Sequence, residues 1–261
     1  MELAINYSTQ AVELLQEGKI RLDRFKCADW PDMIADASKV APTYVHFPLE
    51  AGLKQRKSVD LDAVAAMRDQ TCTPMINTHL IAYAGDAQSD AEIEAAMIAD
   101  VGALVERFGG ASVIAENIPY YERGLKRPYA RVCVEPALIR RVLDQTGSGL
   151  LLDISHARIA ATNLGLDPKA YIESLPVDRL RELHVTGIDT VDGRLLDHMP
   201  FSDEDWTWIE WAMDRIHSGA WATPWCVAFE YGGIGKPFAW RSEKRVIEDQ
   251  LPRLHGLVHA R

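Results

Sequence analysis

The chain has 261 residues, is 48% hydrophobic and 25% charged, and carries a formal net charge of −10. That length suits one large α/β domain or two small ones, and the composition is that of an ordinary globular protein. The acidic balance argues against nucleic acid, whose phosphates need a basic footprint, and no apolar run approaches the roughly 18 residues needed to span a membrane.

The first residues, MELAINYSTQ, show no basic leader followed by an apolar stretch, so a cytoplasmic protein without a signal peptide is expected. Runs rich in β-formers then alternate with helical patterns to the C-terminus. The expected strands are 3–8 (LAINYS), 24–28 (RFKCA), 43–47 (TYVHF), 74–80 (PMINTHL), 112–117 (SVIAEN), 150–154 (LLLDI), 181–187 (RELHVTG) and 226–231 (CVAFEY). Helix-start signals fall between them. Ser89 precedes a long amphipathic run that stops at Gly109–Gly110, and Pro136 sits where a first helical turn takes it. Asp167–Pro168 opens another helix, Ser202 with Asp205 resembles a capping box with a shortened acid, and Ser242 opens the last helix. Cys27, Cys72, Cys133 and Cys226 form no C-x-x-C pair and read as reduced, mostly buried thiols.

Eight strands, each followed by a helix, predict a parallel sheet and a single (β/α)8 TIM barrel over residues 1–261. A doubly wound open sheet fits the same alternation, although no G-x-G-x-x-G supports a dinucleotide version. In a barrel the C-terminal strand ends share one mouth. Six successive strand ends supply His46; His79; Glu116 and Asn117; Asp153 and His156; His184, with Asp197 and His198 in the loop after it; and Glu230. Any one of these histidines alone reads most simply as a hydrogen-bonded core or loop residue. Convergence of all of them would crowd several carboxylates together, and a divalent metal at the mouth removes that repulsion. Imidazole and carboxylate donors without cysteine suit iron, manganese or catalytic zinc, and the number of donors exceeds what one ion needs.

The loop after the fifth strand, IPYYERGLKRPYARVCVEP, mixes aromatics with Arg123, Lys126, Arg127 and Arg131. It reads either as a solvated rim loop or as a lid for an acidic substrate, with Asn117, Tyr120, Arg123 and Arg127 as candidate substrate contacts. Trp206, Trp208 and Trp211 open a helix at packing spacing, and Trp206 is a further candidate for substrate contact.

The motifs YVHFPLEAG, NTHL, ENIPYY, LLLDISHARIAATNLGLDP, ELHVTG, the LLDH segment and AFE occur in that order between Tyr44 and Glu230. With them the chain resembles the multinuclear non-haem iron-dependent oxidative enzymes, a family of xylose-isomerase-like barrels. The resemblance implies two or three irons at the mouth, with His46, His79, Glu116, Asp153, His156, His184, Asp197, His198 and Glu230 at ligand positions. It also implies O2-dependent oxidation of cysteines in ribosomally made precursor peptides, with a partner protein holding the peptide leader. Two departures bear on the third metal. The family's D-x-H pair is here the adjacent Asp197–His198, whose side chains should project differently, and RFKCADW lacks the family's strand-two glutamate.

Three readings follow. The first is the iron oxidase. The second is a manganese or zinc isomerase, epimerase or hydrolase of the xylose-isomerase type acting on a small molecule, with carboxylates such as Glu116 or Glu230 moving protons. The third is a barrel that binds a ligand without turnover. In the enzymatic readings Glu116, Asp153 and Glu230 are the carboxylates expected to carry the chemistry.

Overall fold

The structure is a computed structural model that describes residues 1–55, 58–122 and 125–260. Its centre is a nine-stranded sheet of parallel pairings in the order β3-β2-β1-β11-β8-β7-β6-β5-β4. The strands are β1 (Glu2–Asn6), β2 (Arg24–Cys27), β3 (Thr43–Val45), β4 (Glu50–Ala51), β5 (Ile76–Leu80), β6 (Val113–Glu116), β7 (Gly149–Asp153), β8 (Leu180–Val185) and β11 (Cys226–Phe229). The order runs cyclically with the chain and never reverses, so the sheet has no topological switch point and is not doubly wound.

The sheet curls until one chain passage, 43–51, lies at both ends of the order. Its first part, β3, pairs with β2, and its last part, β4, pairs with β5. The sequence predicts a single strand here. Pro48 lacks an N–H, and side chains replace the ladder around it. Val45 N–H donates to Thr73 Oγ1 (2.9 Å) and Phe47 N–H to Asn77 Oδ1 (2.7 Å), while Asn77 Nδ2 returns a bond to the Phe47 carbonyl (2.9 Å).

Helices α1 (Thr9–Gln16), α2 (Pro31–Ser38), α3 (Leu61–Thr71), α4 (Asp90–Phe108), α5 (Pro136–Thr146), α6 (Ile154–Leu164), α7 (Pro168–Ser174), α8 (Asp203–His217) and α9 (Lys244–Val258) connect the strands. Their starts follow local chemistry. Complete capping boxes close α4 through Ser89 and Glu92 and α8 through Ser202 and Asp205, and Asp167 caps α7. The Ser242 hydroxyl instead bonds the carbonyls of Gly233 and Phe238, and α9 begins at Lys244 after Glu243. The helices' apolar faces and the sheet's outer face form one continuous core. A small separate cluster, Ala4, Tyr44, Cys226 and Ala228, lies on the sheet's other face.

The segment after β8, expected to be a loop, is a hairpin of β9 (Gly187–Val191) and β10 (Arg194–Met199). Asp192 and Gly193 both take positive φ (51° and 75°), as a two-residue Asp-Gly hairpin turn requires. Among the described residues no helix is long and apolar enough to cross a membrane.

Candidate metal centre

Because the strands are parallel, their C-terminal ends lie along one edge, and the polar residues of the strand ends meet there. Register brings them side by side: His79 opposes Glu116 across β5–β6, and Asp153 opposes His184 across β7–β8. His46 follows β3 and Glu230 follows β11. Asp153 ends β7 and at the same time caps α6, accepting a bond from His156 N–H (2.7 Å), so strand end and helix start place two functional side chains with one residue's geometry.

Three groups of donors each lie within 4.8 Å of one another: His46–Glu116–His184, Glu116–Asp153–His156 and Asp153–His184–Glu230. Glu116 joins two of them, since Oε2 faces His79 Nε2 (3.1 Å) and His46 Nε2 (3.5 Å) while Oε1 faces His156 Nδ1 (3.5 Å) and His184 Nδ1 (4.0 Å). Asp197 Oδ2 reaches His156 Nε2 at 2.9 Å, and His198 Nε2 lies 4.0 Å from the same oxygen.

Asp197 and His198 both face the cluster although adjacent strand residues normally point to opposite faces. The cause is a register shift in the hairpin between Leu196 and Met199, where His198 adopts a left-handed backbone (φ 61°). A bulge of this kind re-aims a side chain, so adjacent residues do here what a spaced pair does on a regular strand.

The histidines are oriented by their second nitrogen. His79 Nδ1 lies 3.1 Å from the Leu49 carbonyl, His156 Nδ1 2.9 Å from the Asn117 carbonyl, and His198 Nδ1 2.9 Å from the Glu230 carbonyl. His184 Nε2 lies 2.9 Å from Glu182 Oε1, and Glu182 in turn accepts from Tyr44 O–H (2.9 Å) and Trp225 Nε1–H (3.2 Å). Placing the proton on the anchored nitrogen satisfies each acceptor and leaves the other nitrogen with a lone pair for the cluster. Carbonyl or carboxylate anchoring of this sort is what metal-ligating imidazoles show.

Several buried polar atoms remain unsatisfied: among the described residues, Asp153 Oδ2, Glu116 Oε2 and His46 Nδ1 have no hydrogen-bond partner. Burial and the neighbouring Glu230 and Glu116 carboxylates push Asp153 up to about 7, against the opposing pull of His156 and His184. Burial also raises Glu116, but His79, His46 and His184 outweigh it and hold that carboxyl below the usual range. Carboxylates crowded without enough protons, and imidazole lone pairs turned toward them, fit a divalent cation. Neutral burial would need these atoms capped by hydrogen bonds that the chain does not provide.

Lys26 joins the cluster although it is neither a histidine nor a carboxylate. It is 5% exposed, its ammonium forms an ion pair with Glu230 Oε1, and it lies 3.4 Å from His184 Nδ1. A second cation, after Arg24, flanked by the buried Phe25 and Cys27 in one short strand was the available signal.

A cavity of about 420 Å³ opens over the cluster. Lys26, His46, His79, Glu116, His156, His198 and Glu230 are among its polar lining, and Tyr7, Trp30, Met33, Phe238 and Arg241 line its walls. Of the expected substrate contacts, Asn117, Tyr120, Arg127 and Trp206 are not in this cavity's lining. Asn117 secures Asp153 through two 2.9 Å bonds to its backbone N–H and carbonyl. Tyr120 packs on the core, and Trp206 is buried against Phe201 with the Arg253 guanidinium 4.1 Å from its ring. Arg127 pairs with Asp86 and stacks on Tyr83 (3.9 Å), beside a second hollow of about 480 Å³. Arg123 lies outside the described residues. Cys133 is buried, which pushes its thiol up to about 12 and leaves it unreactive.

Curated relatives include a UPF0276 protein of Acaryochloris marina, 32% identical over 121 residues (46% of this chain, 42% of the relative). A second, from Chromobacterium violaceum, is 26% identical over 178 residues (63% of each chain). The matches thus span less than two thirds of these relatives' own lengths. Among solved structures, a xylose isomerase domain protein from Alicyclobacillus acidocaldarius superposes with a TM-score of 0.62 at 13% identity, covering 99% of both chains. D-psicose 3-epimerase superposes with a TM-score of 0.59 at 12% identity, covering 98% of this chain and 97% of its own. At such identities these neighbours establish the α/β fold of xylose-isomerase-like TIM barrels and nothing about substrate. Residues 88–223 match the model of the "RiPP precursor modification enzyme MbnB/TglH/ChrH" family, a stretch that contains Glu116, Asp153, His156, His184, Asp197 and His198. The chain belongs to that family of precursor-modifying enzymes.

Proposed function

We propose that this protein is a multinuclear non-haem iron enzyme that uses O2 to oxidise a side chain of a peptide substrate, with a cysteine thiol as the reacting group. The observation that carries the reading is the set of anchored imidazoles turned toward unsatisfied, shared carboxylates beneath the cavity. Family membership supplies the substrate class. Sugar epimerases share the fold, but no observation of this site favours a sugar over a peptide.

His46, His79, Glu116, Asp153, His156, Asp197 and His198 would hold the ions. When bound, iron would supply Lewis acidity and electron transfer at the cavity floor. Glu116 presents one oxygen to each side of the cluster and so keeps two positions in fixed relation. The Tyr7, Trp30, Met33 and Phe238 walls exclude water from a reacting side chain and orient it. Glu230 Oε2, 3.7 Å from His198 Nδ1, is the carboxylate oxygen placed to take a proton from that side chain. The rest of the peptide would extend from the cavity mouth, where a leader-binding partner protein would hold it.

Oxygen uptake by anaerobically iron-reconstituted protein, presented with cysteine-containing and matched serine-containing peptides, tests the reading. Uptake that requires the cysteine and disappears in His156→Ala is expected. Indifference to every peptide, together with epimerisation of ketohexoses by the manganese-loaded protein, would replace it with isomerase chemistry.

A further inference from the structure

One of the three donor groups already contains a cation supplied by the chain. On β2, Phe25 and Cys27 face the helix-side core, so the intervening Lys26 projects to the other face of the sheet, beside Tyr44 of β3. Its ammonium ends at Glu230 Oε1 and 3.4 Å from His184 Nδ1. These are two of the three residues of the Asp153–His184–Glu230 group. With Nε2 of His184 committed to Glu182 (2.9 Å), Nδ1 is the only nitrogen that ring offers the cluster, and Lys26 faces it.

We propose that Lys26 is a built-in substitute for one metal ion: its ammonium takes the Asp153–His184–Glu230 position, and the chain loads one divalent ion fewer than its donor set would otherwise accept. The inference rests on reading the cluster as a metal centre. An ion ligated by Glu230 and His184 would sit against the ammonium, and the two positive charges would repel at short range with little water to screen them. Charge balance points the same way. The six carboxylates of the site, its support and the cavity lining, Glu116, Asp153, Glu182, Asp197, Glu230 and Asp29, are matched by two divalent ions, the Lys26 ammonium and the Arg241 guanidinium. A third ion alongside Lys26 would leave an excess of positive charge. Of the two remaining groups, Glu116–Asp153–His156 keeps its donors clear of the lysine, while His46–Glu116–His184 shares His184 with it; His79, 3.1 Å from Glu116 Oε2, is the imidazole that would stand in for His184 there.

Lys26 thereby acquires a second consequence. It fixes Glu230 Oε1, so that only Oε2 of that carboxylate is left for a substrate, and it lines the cavity itself. A lysine here trades an exchangeable, redox-capable ion for a permanent charge of fixed position.

The test is the stoichiometry of Mn(II) bound to the full chain, measured by native mass spectrometry and by elemental analysis of equilibrated protein, for wild type and Lys26→Met. One more ion per chain in Lys26→Met is expected. Equal loading of the two proteins, or three ions in wild type, overturns the substitution while leaving the metal centre standing. No bound Mn(II) in either protein overturns both. Should Lys26→Met not fold, anomalous scattering from Mn(II)-loaded wild-type crystals decides. Peaks among the Glu116 groups with Lys26 still bonded to Glu230 support the proposal, and a peak between Glu230 and His184 with the lysine displaced refutes it.

Discussion

Asp153→Asn should make the metal-free protein more stable and the metal-bound protein less so. The carboxyl is fully buried, its Oδ2 has no hydrogen-bond partner among the described residues, and burial beside Glu230 and Glu116 moves it from 3.8 to about 7. At about 1.4 kcal/mol for each tenfold change in proton affinity, that difference corresponds to about 4 kcal/mol. The folded-state value is raised, so the associated stability is present in full below pH 3.8 and is lost as pH rises through about 7. Asparagine carries no charge to lose, yet its Oδ1 can still accept from His156 N–H and cap α6. Urea unfolding of chelator-stripped proteins should therefore show the variant ahead by about 2 kcal/mol at pH 5 and about 4 kcal/mol at pH 8. On adding Mn(II) the order should invert, because the parent gains binding free energy that the variant has largely given up. A variant less stable than its parent at pH 8 without metal, or a gap that does not change with pH, would show that Asp153 is not held as an uncompensated carboxylate.

Tyr44→Phe removes the 2.9 Å bond to the buried Glu182 and should lower stability in urea by about 1–3 kcal/mol, with Mn(II) affinity in calorimetric titration little changed because His184 faces Lys26 rather than an ion. Arg158→Met leaves the 1% exposed Asp205 without its guanidinium partner, so the urea midpoint should fall by an amount equivalent to about 3–5 kcal/mol with metal content unchanged. Gly187→Ala would put a methyl group 2.0 Å from the Pro200 carbonyl oxygen; the hairpin must shift, costing about 1–3 kcal/mol and lowering metal occupancy through Asp197 and His198, both measurable on one sample by thermal melt and elemental analysis.

What could be read in advance was local. Ser89 with Glu92, Ser202 with Asp205, and Pro136 announce helices because a cap is decided within four residues. The ligand-like histidines and carboxylates were legible because each interrupts an apolar strand at its end. The rest depends on partners far along the chain. Nothing near Pro48 says that 43–51 will pair at both ends of the sheet, since its replacement bonds come from Thr73 and Asn77. The Asp192–Gly193 signal for a hairpin was present, but the bulge that turns Asp197 and His198 the same way is a property of pairing register. Trp206 and Tyr120 look available in sequence because aromatics serve cores and pockets alike, and only packing separates the two. Lys26 shows in the sequence only as a cation within a short strand, and the glutamate that gives it meaning lies 204 residues away.

The most direct test of the account is the metal content of protein purified without added metal or chelator, beside an Asp153→Ala/His156→Ala double variant. About two irons per chain are predicted, a number set by the charge balance above, and they should be absent from the double variant. Zinc or manganese near one per chain would contradict the iron reading, and no metal in either protein after anaerobic ferrous reconstitution would contradict the metal centre itself.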